Sequence, residues 1–327
     1  MSDRTPRRIA VIGGGANDEH DVSLASAAAV ADALRAQGED VVALTVDTDG
    51  RWRTTAGDPL SAVDAVAVLV TCDVAFPLLH GEHGEDGTVA GLLDLVGVPI
   101  VGSPVRAGAV AMDKWVTKLV AGAVGIATAP GVVVADGEPV ALEPPLVVKP
   151  TTGGSSNGVG IVRERSGLDD AVRLARAAGS VVLVESFVSG REVDVAVFRD
   201  RSGALRIGST LEVDLAERTV FDRDQKYDGT ARFVVPARVT TAEHAAVVGA
   251  AVRLYEVLGC AGVARFDFFV TGTGVVLNEV NTTPGFTERS QVPRMYAAVG
   301  LGYGDLVTAL VDAALAVPRP AGCAAVS

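Results

Sequence analysis

The strongest constraint on the fold is the alternation of strand and helix signals over roughly the first hundred residues. Residues 9–12 form a short apolar run that ends in three glycines, which is typical of a strand followed by a turn. Ser23 is predicted to cap a helix whose apolar residues recur at helical spacing as far as Gly38. Strands that alternate with helices favour a mostly parallel sheet with covered faces. Further strands are predicted at residues 41–46, 65–71 and 98–101, with a helix at 85–96.

The pattern changes after Gly102, where strands begin to follow one another directly. Strands at residues 144–150 and 158–164 are predicted to flank a glycine- and serine-rich loop, and a hairpin is predicted at 263–280. A chain of this length usually divides into two or three domains. The other predictions are helices at residues 104–122, 168–178, 242–258 and 304–316, strands at 181–185, 191–197 and 205–213, and a polar loop at 217–232.

Charge and cysteine usage limit the partners and the compartment. The chain has 40 acidic and 28 basic residues, which give a formal charge of -12. A surface with this excess of negative charge repels both nucleic acid and anionic lipid. The three cysteines are scattered, which favours reduced intracellular thiols over a disulfide framework. No apolar run reaches membrane-spanning length, and the run after Arg8 is too short for a signal peptide. We therefore expect a cytoplasmic protein with neither nucleic-acid nor membrane partners.

The most informative polar residues form two pairs, one on each strand of the predicted hairpin. Residues two apart on a strand share a face, so Arg265 lies beside Asp267 and Glu279 beside Asn281. The pairs can oppose each other if the connection has an odd number of residues or if a β-bulge corrects the register. Two carboxylates and an amide oxygen suit Mg²⁺, which prefers hard oxygen ligands. The alternative is a solvated sheet face with an incidental salt bridge.

A second polar segment, residues 149–158 (KPTTGGSSNG), lies between two predicted strands. Glycines and hydroxyls allow backbone N–H groups to converge on an anion, and Lys149 adds a positive charge. The segment is not a P-loop, because Val159 stands where that motif requires lysine. A plain glycine–serine turn is the alternative, although a lysine at the end of a buried strand would be costly without a partner.

Two further segments lie in the first hundred residues. The glycines at 13–15 are followed by Glu19, a carboxylate beside a helix start that could bind an ammonium group or could simply be a surface acid. Asp18 stands where a dinucleotide-binding fingerprint requires glycine, which argues against a Rossmann cofactor. His80 and His83 lack the further ligands of a zinc site.

Taken together, eight segments resemble one family, the D-alanine–D-alanine ligases of the ATP-grasp superfamily. They occur in the family's order over nearly the whole chain. The segments are residues 13–23 (GGGANDEHDVS), 80–93 (HGEHGEDGTVAGLL), 112–114 (MDK), 149–159 (KPTTGGSSNGV), 185–192 (ESFVSGRE), 226–227 (KY), 259–267 (GCAGVARFD) and 279–285 (EVNTTPG).

The resemblance implies a fold of mixed α/β and α+β class. A Rossmann-like domain at residues 1–103 would precede a two-part ATP-grasp fold, with a central subdomain at 104–185 and a C-terminal subdomain at 186–327 that carries the metal and catalytic residues. The resemblance also implies ATP, two Mg²⁺ ions that Mn²⁺ could replace, small amino-acid substrates and a homodimer.

The resemblance assigns roles at the nucleotide and metal sites. Asp267, Glu279 and Asn281 would hold the metal ions, with Glu279 bridging them. Arg265 and the backbone N–H of Gly285 would stabilise the tetrahedral oxyanion. The residues implied in nucleotide binding are Lys114, Lys149, Glu185, Ser186, Phe187, Val188, Glu192 and Lys226.

It also assigns roles at the amino-acid sites. Glu19 matches the acid that holds the first amino acid's ammonium group, and Ser290 matches a contact to the second substrate's carboxylate. Ser155 and Tyr227 match residues that couple the substrate site to a mobile loop, here around residues 217–230. That loop is expected to shield the acyl-phosphate from water.

Some positions depart from the family pattern, chiefly Arg289, Gln291, Ser186 and the short charged lid. These changes fall mainly at the second substrate's pocket and the lid, so the first hypothesis, a D-alanine–D-alanine ligase of peptidoglycan synthesis, has an alternative. That alternative is a specialised ligase with another amino-acid or hydroxy-acid acceptor. A non-catalytic nucleotide-binding module is a third hypothesis, against which the intact set of acids, lysines and Arg265 argues.

Overall fold

A computed structural model of the chain describes residues 5–135, 139–179, 181–214 and 232–317. Three sheets of five, four and seven strands organise these residues, and helices pack on them. The predicted mixture of α/β and α+β structure is confirmed. Among the described residues, no helix is both long enough and apolar enough to span a bilayer.

The first sheet contains two of the predicted strands, β1 and β2, which pair in parallel as expected. Its strands are β1 (Arg8–Gly14), β2 (Asp40–Val46), β3 (Trp52–Thr54), β4 (Pro59–Leu60) and β5 (Val74–Pro77). Their order is β4-β3-β2-β1-β5, and β1 pairs in parallel with both β2 and β5. The helices of this region are α1 (His20–Ala36), α2 (Ala62–Leu69) and α3 (Thr88–Leu95).

Two strands predicted in this region are wrong. Most of residues 65–71 belong to α2, whose first turn is capped by the Ser61 side chain accepting from the Asp64 N–H. A short apolar run does not distinguish a half-buried helix from a buried strand. The strand that pairs with β1 on the side away from β2 is β5. Residues 98–101 form no strand, and Ile100 makes an isolated parallel bridge with Ala75.

The predicted cap of α1 is also wrong. Helix α1 begins at His20 with Glu19 as its N-cap residue, so Ser23 lies inside the first turn. The buried Ser23 hydroxyl donates to Leu78 O at 2.6 Å and accepts from Gly14 N at 2.9 Å. It therefore ties the end of β1 to the segment after β5, and Glu19 lies at the edge of the sheet.

Residues 104–122 form two helices rather than one. Asp113 separates α4 (Val105–Met112) from α5 (Lys114–Ala123), and its side chain accepts from the Trp115 and Val116 N–H groups. After α5 comes β6 (Ala127–Thr128), which pairs in parallel with a strand of the third sheet. Both helices contribute to the apolar core of that sheet.

The second sheet is antiparallel and confirms the strands predicted around the glycine- and serine-rich loop. It has the order β7-β10-β8-β9, built from β7 (Gly131–Val134), β8 (Leu146–Pro150), β9 (Gly160–Val162) and β10 (Val182–Ser186). A 3₁₀ turn at Arg165–Gly167 leads into α6 (Leu168–Ala178), and Leu168 and Ala175 pack on the sheet.

The third sheet carries most of the polar residues singled out above. Its strands are β11 (Arg191–Arg199), β12 (Leu205–Ile207), β13 (Leu211–Asp214), β14 (Arg232–Val234), β15 (Val263–Thr271) and β16 (Gly274–Asn281), and its order is β14-β13-β11-β15-β16-β6 with β12 beside β11. The helices that follow these strands are α7 (Thr241–Leu258), α8 (Gln291–Ala297) and α9 (Tyr303–Ala316).

Alternation along β11 and β15 gives this sheet one apolar face and one face that is polar around Asp194 and Asp267 and apolar at Ala196 and Phe198. Val193 and Val195 on β11 and Phe266 and Phe268 on β15 are fully buried in a core shared with Leu254 of α7. The residues between them face the opposite way, as the period of two requires. The polar face is therefore directed away from α7.

A β-bulge sets the register of the hairpin. The chain turns at residues 272–273, so that Thr271 pairs with Gly274. The register shifts between Asp267 and Phe268, after which Asp267 lies opposite Glu279 and Arg265 opposite Asn281. The β-bulge, rather than a connection with an odd number of residues, therefore brings the two pairs opposite each other.

A single apolar cluster joins the first and third sheets. Ile9 and Val11 of β1 and Leu34 of α1 pack with residues of α8 and α9, including Met295 and Leu310. This packing places the C-terminal end of β1, and with it Glu19, above the polar face of the third sheet.

Candidate active site

Two adjoining cavities lie along the polar face of the third sheet. The smaller, about 640 Å³, lies between the second and third sheets and is lined by Lys149 and the segment from Glu185 to Glu192. The larger, about 1150 Å³, extends towards Glu19 and α8. Lys114 and Glu279 line both cavities, so a molecule bound in one would meet a molecule bound in the other at these residues.

The opposed pairs of the hairpin form a contiguous polar cluster. Arg265 donates from Nε and Nη2 to the two oxygens of Asp267, at 2.7 Å each. Asn281 Nδ2 donates to Asp267 Oδ2 at 3.0 Å. Glu279 lies opposite Asp267 on the neighbouring strand, so the bulge brings all four side chains to one face.

Negative charge exceeds positive charge on this face. Asp194 of β11 lies opposite Asp267, is 1% exposed, and has Oδ2 4.0 Å from Arg265 Nε. Burial, then the neighbouring Asp267 charge, raise the pKa of Asp194 well above its ordinary value. Burial opposes the charge of Arg265, but the Asp267 carboxylate more than compensates and raises the pKa of the guanidinium. Oxygen ligands with surplus negative charge fit a hard divalent cation.

Two buried lysines share one carboxylate at the second sheet. Lys149 Nζ lies 2.6 Å from Glu185 Oε1, and Lys118 of α5 binds Glu185 Oε2. Burial alone would raise the pKa of Glu185, but the two ammonium groups lower it below its usual range. Burial also lowers the pKa of Lys118. The arrangement carries one net positive charge at the wall of the smaller cavity, which suits a phosphate.

Lys114 connects the glycine- and serine-rich loop to the hairpin. Its Nζ donates to Gly153 O at 2.7 Å and lies 3.8 Å from Glu279 Oε2. In the same loop Ser155 and Ser156 adopt left-handed φ values of 50° and 58°, which turn the chain sharply over the cavities. The loop therefore covers the junction of the two cavities.

The opposite wall of the larger cavity comes from the first sheet. Ser155 Oγ donates to Glu19 Oε1 at 2.5 Å, and His80 Nδ1 donates to Thr283 O at 2.7 Å. Burial lowers the pKa of His80, which favours the neutral ring. Glu85 accepts from Gly81 N at 3.0 Å and from Thr283 N at 3.1 Å.

The end of the larger cavity is formed by the segment before α8. Ser290 is the N-cap residue of α8, and its Oγ accepts from Thr287 N at 3.1 Å. Gly285 lies close by, since a Cβ on it would come within 3.4 Å of Ser290 Oγ. Gln291 Nε2 donates to Asp194 Oδ2 at 2.8 Å, which connects α8 to the polar face.

The structure brings together most of the residues predicted from the sequence, whose roles stay predictions. Glu185, Ser186, Phe187 and Val188 line the smaller cavity with Lys149, and Glu19, Arg265, Asp267, Asn281, Gly285 and Ser290 line the larger, while Lys114, Ser155, Glu192 and Glu279 line both. Lys226, Tyr227 and the predicted lid lie outside the described residues.

Sequence reasoning missed Lys118 and Asp194 and gave Glu85 no role. Lys118 lies one helical turn after Lys114, and Asp194 continues the period of two that begins at Glu192. Both spacings are visible in the sequence, but ordinary surface residues show the same spacings. Only the structure identifies the partners, which are Glu185 for Lys118 and Gln291 for Asp194.

The sequence profiles of two domains match most of the chain. They are "D-ala D-ala ligase N-terminus" over residues 8–103 and "D-ala D-ala ligase C-terminus" over residues 134–312. D-alanine--D-alanine ligases from Rhodococcus opacus and Rhodococcus jostii are each 40% identical, covering 94% of this chain and 97% of theirs.

Solved structures agree with the sequence profiles. The VanG D-Ala:D-Ser ligase from Enterococcus faecalis superposes with a TM-score of 0.83 at 31% identity, covering 95% of this chain and 100% of that one. The D-alanine-D-alanine ligase from Coxiella burnetii has a TM-score of 0.80 at 26% identity, covering 95% and 94%. A cleft of lysines and acids between two sheets, in a fold shared with these enzymes, defines an ATP-dependent ligase of the ATP-grasp fold. Within that class, the chain belongs to the D-alanine–D-alanine ligase family.

Proposed function

We propose that the chain joins two amino acids through an acyl-phosphate, with D-alanine as the first substrate, and that it acts in peptidoglycan synthesis. The observation that supports this proposal most directly is the junction of the two cavities. There Lys114 and Glu279 stand between a lysine-lined cleft and a cavity that contains Glu19 and Arg265. A phosphate donor and a carboxylate can meet at this junction.

In the proposed reaction the smaller cavity holds ATP. Glu185, Ser186, Phe187 and Val188 line its adenine end and Glu192 its ribose side, while Lys149 and Lys114 neutralise the phosphates. We propose Lys226, outside the described residues, as a further contact to the transferred phosphate.

The metal requirement is proposed from the chemistry of the donor set. Asp267, Glu279 and Asn281 offer hard oxygen atoms on one face, where the two carboxylates outnumber the single base, Arg265. They would hold Mg²⁺, two ions by family resemblance and replaceable by Mn²⁺, and the metal would supply neutralisation of phosphate charge.

The remaining residues act on the two amino acids. Glu19, oriented by Ser155, holds the ammonium group of the first amino acid. The carboxylate of that amino acid attacks the γ-phosphorus of ATP as the bond between the γ-phosphorus and ADP breaks. The amine of the second then attacks the acyl carbon, phosphate leaves, and Arg265 with the Gly285 N–H stabilises the oxyanion. A donor of this kind is commonly worth about 3 kcal/mol of barrier. Ser290 contacts the acceptor carboxylate, and Tyr227 with residues 217–230 closes the site.

The amino-acid panel test is phosphate release with ATP and Mg²⁺, with products identified by mass spectrometry. D-Alanine should support turnover and give D-alanyl-D-alanine or a mixed dipeptide. If none of the amino acids supports phosphate release, the result contradicts the proposal and favours the non-catalytic module. If other amino acids support turnover and D-alanine does not, the result favours another ligase.

The metal assignment has its own test. Glu279→Gln should lose Mg²⁺-dependent ATP binding in calorimetry while its thermal unfolding remains close to wild type. Glu256→Gln, on the exposed side of α7, is the matched control and should bind normally. Normal binding by Glu279→Gln would remove Glu279 from the metal site.

Three further predictions complete the proposal. We propose the domain division 1–103, 104–185 and 186–327. The three successive sheets correspond broadly to these domains, although α4, α5 and β6 pack on the third sheet.

We also propose that the chain forms a homodimer, which light scattering can test. The free, buried thiols of Cys72 and Cys260 are consistent with a cytoplasmic location, and Cys323 lies outside the described residues.

A further inference from the structure

A polar pair in the larger cavity, the buried Asp194 and the half-buried Gln291, is not used by the reaction proposed above. Asp194, at the centre of β11, is 1% exposed, and Gln291 is the first residue of α8. The amide Nε2 of Gln291 donates to Asp194 Oδ2 at 2.8 Å. Both side chains line the larger cavity. A polar pair in such a place needs an explanation, because polar groups without full partners are costly to bury.

The pair gives the Gln291 amide a defined orientation. Asp194 pairs with Leu211 of β13 and Asp267 of β15, so its backbone is fixed on both sides at the centre of the sheet. A side-chain amide has two N–H donors and one carbonyl acceptor, and the contact with Asp194 uses one donor. The carbonyl oxygen and the second N–H of Gln291 are therefore the groups it can present to a ligand.

The position of Gln291 relates it to the second substrate. Gln291 directly follows Ser290, and its partner Asp194 lies 4.0 Å from Arg265 Nε through the same oxygen that accepts from Gln291. In the proposed reaction the acceptor carboxylate lies at Ser290 and its amine attacks the carbon beside Arg265. The side chain on the acceptor Cα then lies towards Gln291.

We propose that Gln291, held in place by Asp194, is a specificity-determining residue for the acceptor, and that it selects an amino acid whose side chain carries a hydroxyl group over one with a methyl group. The inference rests on the proposed function and refines its second substrate. A hydroxyl both donates and accepts, so it satisfies the amide carbonyl and the second N–H together. A methyl group in the same place can partner neither of those groups.

The experiment is a competition between D-serine and D-alanine as acceptors, with D-alanine as the donor. The two dipeptides are quantified by mass spectrometry at initial rate, and their ratio gives the ratio of kcat/KM for the two acceptors. The wild-type enzyme should favour D-serine by about tenfold. Gln291→Leu should reduce this preference to about twofold or reverse it, because an apolar side chain no longer discriminates against the methyl group.

Two further variants test the positioning of the amide. Asp194→Asn replaces one carboxyl oxygen with an N–H donor, which weakens the orientation of Gln291 and should lower the preference in the same direction. Gln37→Leu, at the C-terminal end of α1, is the matched glutamine control and should leave the ratio unchanged. The ratio does not depend on the fraction of active enzyme, so it separates specificity from stability. If Gln291→Leu fails to fold, Gln291→Met makes the same measurement.

The outcomes distinguish this inference from the proposed function. Formation of D-alanyl-D-alanine without any preference for D-serine, or an unchanged ratio in Gln291→Leu, overturns the role of Gln291 and leaves the ligase intact. Absence of dipeptide with every acceptor overturns both. A preference for D-serine that disappears in Gln291→Leu and persists in Gln37→Leu supports the inference.

Discussion

Replacing Glu185 by leucine removes the carboxylate that pairs with both Lys118 and Lys149. The three side chains are only 6–8% exposed, so the two ammonium groups would remain buried beside each other. Breaking a buried ion pair from one side typically costs about 3–5 kcal/mol of unfolding free energy, because an uncompensated charge remains. Lys118→Met should cost less, about 1.5–3 kcal/mol, since Lys149 still compensates Glu185.

The measurement is urea unfolding followed by tryptophan fluorescence. Trp115 lies in α5 one turn before Lys118 and reports on this region. Glu256→Leu is the matched control, because it breaks an exposed pair with Arg199 and should cost no more than about 1 kcal/mol. Equal losses in Glu185→Leu and Lys118→Met, or a loss of less than 1 kcal/mol in Glu185→Leu, would refute the reasoning.

The same triad predicts a pH dependence. The lysines lower the pKa of Glu185 below its ordinary value of 4.5, so the folded chain favours the ionised form. The stability that this provides is present above pH 4.5 and is lost as the pH falls through the folded-state pKa. The difference between wild type and Glu185→Leu should therefore shrink in acid.

Two more predictions concern the larger cavity. Ser155→Ala removes the 2.5 Å contact to Glu19 and should raise the KM for the first amino acid by about tenfold, measured by steady-state kinetics; an unchanged KM would exclude Ser155 from orienting Glu19. Burial raises the pKa of Glu85 from 4.5 to about 7, although hydrogen bonds from the Gly81 and Thr283 N–H groups oppose the shift. The stability that the protonated form provides is therefore present below pH 4.5 and is lost as the pH rises through 7. Glu85→Gln should flatten that part of the pH profile of thermal unfolding, and an identical profile would contradict the assignment.

Local pattern was sufficient wherever one rule determined the outcome. The period of two in β15 and β16 placed Arg265 and Asp267 on one face, and Glu279 and Asn281 on the other strand's matching face. It could not decide between a longer turn and a bulge, because the two alternatives differ only in how the turn closes. The two-residue connection at 272–273 required the bulge.

Local pattern failed where apolar residues also occupy exposed positions, as Val63 (77% exposed) and Val70 (46% exposed) do near the ends of α2. Residues 65–71 are nearly all apolar, and a window of this length is the same for a buried strand and a short packed helix. Ser23 was predicted as a cap because serine favours that position, but the helix starts at His20 and the buried Ser23 hydroxyl connects β1 to the segment after β5.

The sequence by itself determined the parallel strands β1 and β2, the two polar pairs of the hairpin and the class of reaction, since each depends on residues near one another in the chain or on an ordered series of motifs. Only the tertiary structure decided which distant groups become partners. Ser155 meets Glu19 across 136 positions, Lys118 meets Glu185 across 67, and Gln291 meets Asp194 across 97. No spacing rule predicts such contacts, because they arise from the packing of whole sheets, and it is this packing that buries the groups and shifts their pKa values.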